Sequence, residues 1–368
     1  MSERRRISRL AMLALVGAIE CASAPCGAQA DHAASRTIGD ATFMLPAWAE
    51  SAFVLTEFGF RQDIEYESIP HFPVASLGTY NLSWVQFQET VDVAVRLTSF
   101  LGVYAEGAAS GALGPDTASL LFQGGGLDYG GKGGAVLRLY RNEASGSQVA
   151  LRLYGGGDGG RTLDLIDFFG AFGIRAARGL QNAVSQTSDV SQLPAKITNE
   201  AIALADTDYS TIAFYRSSSV LTGTSLHYAQ ALVGPLTVQL SVALERTWGQ
   251  QRPYDLSLQD FAKLSTTDTT ITLDSVLSCD FGRWSVPLGA SAEYAGSKTY
   301  RSLNGGSVYI PSTHDIGGGL YFTGRRGVEI GALLFTRRNL KADSGFETPE
   351  SSAKPVGYVG SLVFRALW

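Results

Sequence analysis

The residues of this chain that could do chemistry are few and scattered. Ser225 and His227 stand two apart, and the carboxylate of Glu245 follows in the next stretch of strand-like sequence. A serine activated by a histidine that a carboxylate orients is the arrangement of a nucleophilic hydrolase. Ser-x-His also arises by chance in a segment full of serine and threonine, because a triad is defined by geometry and not by spacing. Residues 126–133 (GLDYGGKG) approximate the phosphate loop G-x-x-x-x-G-K-[ST]. The run lacks the hydroxyl that would hold Mg²⁺, no apolar strand leads into it and no helix follows. The glycine run 155–160 reads as a flexible loop. His32, His71, His227 and His314 are isolated, with no partner at a metal-ligand spacing, so no metal and no cofactor is expected.

The elements that must carry these residues have a period of two. Val91, Val93, Val95 and Leu97 alternate with Asp92, Ala94, Arg96 and Thr98. Leu236, Val238, Leu240, Val242 and Leu244 alternate with Thr237, Gln239, Ser241, Ala243 and Glu245, and Ile271 to Phe281 repeat the pattern. Such alternation makes a strand with one apolar and one polar face. Twelve strands are expected, at 53–66, 84–98, 101–111, 126–141, 147–156, 222–232, 236–248, 268–281, 284–296, 314–323, 327–338 and 356–368. Many are ten residues or longer, where soluble strands average about 5–6 and a tilted membrane-crossing strand needs about 9–11. Short and long connections alternate along the whole chain.

Composition agrees. Of the 368 residues, 45% are hydrophobic and 17% charged, which excludes a disordered chain, and no A/E/K/L/R-rich heptad pattern supports a coiled coil. A net charge of −5 gives no general attraction to nucleic acid. Residues 1–30 have an arginine-rich start, a short apolar run and an Ala28-Gln29-Ala30 cleavage site, the three parts of a secretory leader. With that leader removed, Cys279 is the one cysteine, so no internal disulfide can form. Residues 31–52 follow as an N-terminal segment without a strand pattern.

Tyr358, Gly360, Leu362, Phe364, Ala366 and Trp368 share one face of the last strand, which ends on an aromatic. In this and in the sorted loops the chain resembles bacterial outer-membrane β-barrel proteins. The resemblance covers 53–368 and implies a closed antiparallel transmembrane barrel in the cell outer membrane. Lipids and the barrel assembly machinery are then its partners, and a monomer is expected. Short turns would face the periplasm and long loops the exterior. Aromatic girdles are expected from Phe100, Phe281, Trp284, Phe364 and Trp368 at one end and from Trp84, Tyr129, Trp248, Tyr294 and Tyr358 at the other.

Residues 157–221 form the longest connection. Within it 164–181 has the apolar spacing of an amphipathic helix and 197–206 suggests a second, so the insertion can be a lumen plug or a helix on the rim. As a plug it would turn Arg175 and Arg178 toward Glu245 and Asp274. Strand parity points Arg96, Glu106, Arg138 and Arg152 inward from one side of the barrel and Glu245, Asp274, Asp280 and Glu293 inward from the other. These charges either set a transverse field across a pore or pair locally. The expected function is a porin-like channel for a small solute, not an enzyme. A lipid hydrolase and a structural or adhesive barrel are the alternatives.

Overall fold

The computed structural model describes residues 36–74, 78–185, 195–196, 198–199, 213–255, 260–309, 312–325, 327–339 and 356–368. Twelve long strands follow one another: β1 Glu57–Val74, β2 Gly78–Arg96, β3 Leu101–Leu113, β4 Gly125–Asn142, β5 Ser147–Leu163 and β6 Phe214–Ala231. The second half comprises β7 Leu236–Gln251, β8 Leu264–Asp280, β9 Leu288–Leu303, β10 Thr313–Arg325, β11 Val328–Asn339 and β12 Val356–Leu367. Each pairs antiparallel with its neighbours in the chain, and β12 returns to β1 through pairs such as Phe60↔Phe364 and Tyr66↔Tyr358. The sheet therefore has no free edge. In lipid, where no water can satisfy a backbone N–H or C=O, closure is the only way for a sheet to survive.

The faces are those that the alternation demands. Leu240, Val242, Leu244, Leu273, Leu277, Leu320, Leu334 and Leu362 lie on the outside and are exposed. Among the described residues no helix is long and apolar enough to cross a membrane, so strands make this belt. Phe100, Phe364 and Trp368 are exposed at the short-turn end, and Tyr129, Trp248 and Tyr358 toward the other. Trp84 departs from the expected girdle. It pairs in register with Glu67, on the inner face.

The strands run further outward than the apolar pattern does, because a lipid-facing alternation marks only the part inside the membrane. The expected loop at 67–83 is mostly β1 and β2, and the glycine run 155–160 lies in β5, paired on both sides. Residues 53–56, expected to open the first strand, precede it. Between β3 and β4 lies helix α1, Thr117–Gln123, capped by Asp116 through Ser119 N–H. The long insertion holds α2, Leu165–Ser185, four residues longer at its end than the expected helix. The leader, residues 31–35 and most of 197–206 lie outside the described residues.

Candidate functional site

The largest feature absent from the sequence reading is the position of residues 36–56. They enter the barrel from the short-turn end and fill that half of its lumen. Phe43, Met44, Leu45, Ala52, Phe53, Val54 and Leu55 are buried there, packing on inward side chains of several walls: Ala229 on β6, Tyr321 on β10, Phe335 on β11, Val359 and Val363 on β12, and Val136 and Ala150 on β4 and β5. Burial of each large side chain contributes about 1.5–3 kcal/mol. Two inward glycines make the room. A Cβ at Gly289 would stand 2.8 Å from Met44 Sδ, and one at Gly102 would stand 2.9 Å from Val54 Cγ1.

Most of this segment is irregular, so its backbone groups need partners from the wall. Glu293 accepts from the Ala47 N–H (3.1 Å) and the Trp48 N–H (3.2 Å), and also from Ser291 and Tyr321. Gln239 donates to Met44 O (2.8 Å), Gln148 to Ala52 O (2.7 Å) and Arg152 to Ser51 O (2.8 Å). Arg365 donates to Leu45 O (2.8 Å) and to Pro46 O, and shares the fully buried Glu329 with Arg36. Trp48 donates through Nε1 to Ser361 (3.1 Å), and its ring lies near the guanidiniums of Arg61 and Arg337.

Glu50 stands at the deepest part of the segment. Its carboxylate meets Lys132 Nζ at 2.9 Å and Arg152 at 3.8 Å, and accepts from Ser225 Oγ at 3.1 Å. Lys132 also reaches Glu106 at 3.7 Å. Lys132, which ended the phosphate-loop look-alike, is thus an inward lysine of β4 that ties the wall to the inner segment.

Ser225 and His227 are joined, with Oγ 2.7 Å from Nε2. The carboxylate near them is Glu50 and not Glu245, and it lies on the serine side of the ring, 3.7 Å from the same Nε2. Glu245 instead accepts from Thr247, and Asp274 from Ser241. Arg96, Glu106, Arg138, Arg152, Glu245, Asp274 and Glu293 all stand on the inner face by register. Arg152 and Glu293 hold the inner segment from opposite walls. Arg175 and Arg178 lie on α2, which follows β5 at the long-loop end and packs against α1. Among the described residues no group of His, Cys, Asp and Glu could hold a metal.

The entry of the segment is pinned outside the membrane-spanning strands. Gly39 N–H donates to Glu143 in the β4–β5 turn (2.8 Å), Arg141 pairs with the same carboxylate, and Arg141 also donates to Thr37 O. The Gly39 N–H and then Arg141 hold the Glu143 carboxyl below the usual carboxylate range. A carboxyl depressed by folding stabilises above its ordinary pKa and loses that contribution as pH falls through its lowered value. Exchange of the Gly39 amide should therefore stay slow through mildly acid solution and quicken only below the ordinary carboxylate range. Glu143→Gln should remove that acid transition.

Beside the segment, against β1–β5, space remains. One cavity of about 290 Å³ is lined by Glu57, Asp92, Tyr104, Arg152, Glu106 and Lys132 among others. A second, of about 360 Å³, lies toward the long-loop end and is lined by Gln88, Ser110, Asp128, Asp158 and again by Glu106 and Lys132.

A closed twelve-strand wall, an apolar belt and a polar interior define a membrane-spanning β-barrel of the outer-membrane kind. No family model and no curated protein matches the chain. Solved structures that resemble it include the β domain of the Bordetella autotransporter BrkA, with 10% identity, TM-score 0.46 and coverage of 85% of this chain and 100% of that one. The translocator domain of the autotransporter NalP from Neisseria meningitidis has 9% identity, TM-score 0.44 and coverage of 88% and 90%. An outer-membrane channel from Pseudomonas putida F1 has 11% identity, TM-score 0.41 and coverage of 89% and 100%.

Proposed function

We propose that this barrel passes a small polar solute across the outer membrane, along the β1–β5 wall and past the inner segment. The observation that carries the reading is that the two cavities share the charged residues Glu106 and Lys132. The first extends toward the short-turn end, where Ala94 and Gly102 line it, and the second toward the long-loop end. Lys132 stands between them, held by Glu50 on the segment and Glu106 on the wall. Lys132 is, on this reading, the gate of the path, and its removal would join the two spaces. On this reading the inner charges are neither a free field nor inert packing, because several of them bind the segment and so set the bore.

The hydrolase reading is disfavoured by the same residues. Ser225 and His227 are each 2% exposed, and Glu50 occupies the serine's open side. In a working triad the carboxylate orients the imidazole through the nitrogen remote from the serine. We assign Ser225 and His227 to seating Glu50. The exposed Trp368, at the end of the lipid face of β12, is the feature the assembly machinery would read.

The test is single-channel current in a planar bilayer. Wild-type protein should pass a small current, and Lys132→Ala a clearly larger one with the barrel still folded. A folded protein silent in both forms would overturn the channel reading.

A further inference from the structure

The outer face of the same wall carries a polar anomaly. Glu89 on β2 points to lipid, between Phe87 and Val91, which are 54% and 37% exposed. It pairs in register with Gln62 on β1, which lies between Phe60 and Ile64 on the same outer face. Apolar residues stand above and below both, and Tyr66 marks the aromatic level beyond them, so the two lie inside the apolar belt. Neither makes a side-chain hydrogen bond among the described residues. An ionisable group at membrane depth is costly in lipid and calls for a protein partner, since no water is present to serve as one.

The surface beside Glu89 is made of small residues over three adjoining strands: β3 to β5 present Gly107, Ala109, Gly111, Gly131, Gly133 and Gly157 in adjoining register. Small residues let a second protein surface approach a membrane-embedded backbone closely.

We infer that this face packs against a second copy of this chain, about a two-fold axis along the membrane normal, with Gln62 of each copy donating to Glu89 of the other. A two-fold contact is isologous: residue i of one copy meets residue j of the other, and j meets i. Gln62 and Glu89 are cross-strand neighbours, so their depth in the membrane is nearly the same and the reciprocal pairing is geometrically natural. One donor and one acceptor side by side make the patch complementary to itself. A second copy lies at the same depth by construction. The twofold assembly replaces the monomer that the resemblance implied, and it is independent of whether the lumen conducts.

The test uses the full chain in lipid vesicles, with Cys21, Cys26 and Cys279 replaced by Ser so that a single introduced cysteine reports. Ala109→Cys, exposed on the glycine face, should be cross-linked to a dimer by a short bis-maleimide. Leu273→Cys, exposed on β8, should not. Glu89→Leu suits lipid and leaves the monomer folded, and self-association should weaken about tenfold or more with two hydrogen bonds lost. Glu89→Gln keeps an acceptor and should keep the dimer. Equal cross-linking at 109 and 273, or a dimer unchanged by Glu89→Leu, would each overturn the inference.

Discussion

Glu293→Leu should release the inner segment and raise the current through the barrel severalfold. Glu293 is 4% exposed and gathers the Ala47 and Trp48 amides with the Ser291 and Tyr321 hydroxyls on one carboxylate. Leucine accepts nothing, so those donors are left inside the barrel without their acceptor, and each unsatisfied buried donor costs about 1–3 kcal/mol. The wall itself has no reason to open, because its strand ladder does not pass through that side chain. The cheapest response is for residues 44–50 to leave the wall and let water reach their amides. Glu293→Gln keeps one acceptor oxygen and should fall between wild type and leucine. Single-channel current and amide exchange over 36–56 read the two halves of the claim. A leucine variant with wild-type current and wild-type protection of Ala47 and Trp48 would show that this carboxylate does not hold the segment.

That result would concern a part of the molecule the sequence barely announces. Strand parity is strongly written, since period-two alternation is forced wherever one face meets lipid and the other water. It points Arg152, Glu245, Asp274 and Glu293 to the inner face, the face their register gives them. It could not show what Arg152 and Glu293 hold, because residues 36–56 have neither a strand period nor a helical one. Their signal was only a density of apolar residues, FMLPAWA and AFVL, in a stretch too short to fold alone. Such a stretch can be buried only against something else, and in a barrel that means the lumen. Loop length points instead to 157–221, on the rule that long loops carry function. Loop length, however, measures only how far a segment can reach, while filling an interior requires apolar side chains matched to the space, as Met44 is to Gly289. The strand ends were misjudged for a related reason: above the membrane both faces meet water, and the alternation fades while the hydrogen-bonded ladder continues.

The face assignment itself has a large expected effect. Val242→Arg should leave little folded barrel, and Ala243→Arg should leave nearly as much as wild type. Val242 is 42% exposed at the middle of the lipid face of β7, flanked there by Leu240 and Leu244. An arginine at mid-bilayer costs about 2–4 kcal/mol, which is a large part of the roughly 5–15 kcal/mol by which proteins are stable. It cannot snorkel far, because apolar side chains stand on both sides of it. Ala243 is one residue away and points inward, opposite Ser225 on β6 and Thr272 on β8. An arginine there enters the polar interior with Asp274 and Glu245 on neighbouring inward positions, so its charge finds carboxylate partners. The two variants differ in one position of sequence and in nothing else that bears on synthesis or export. The measure is the fraction of protein that migrates as a compact barrel when unheated and shifts on heating. Equal loss in both would mean that β7 is turned over relative to this structure, and with it the inner carboxylate of Glu245 and the Gln239 contact that helps seat the inner segment.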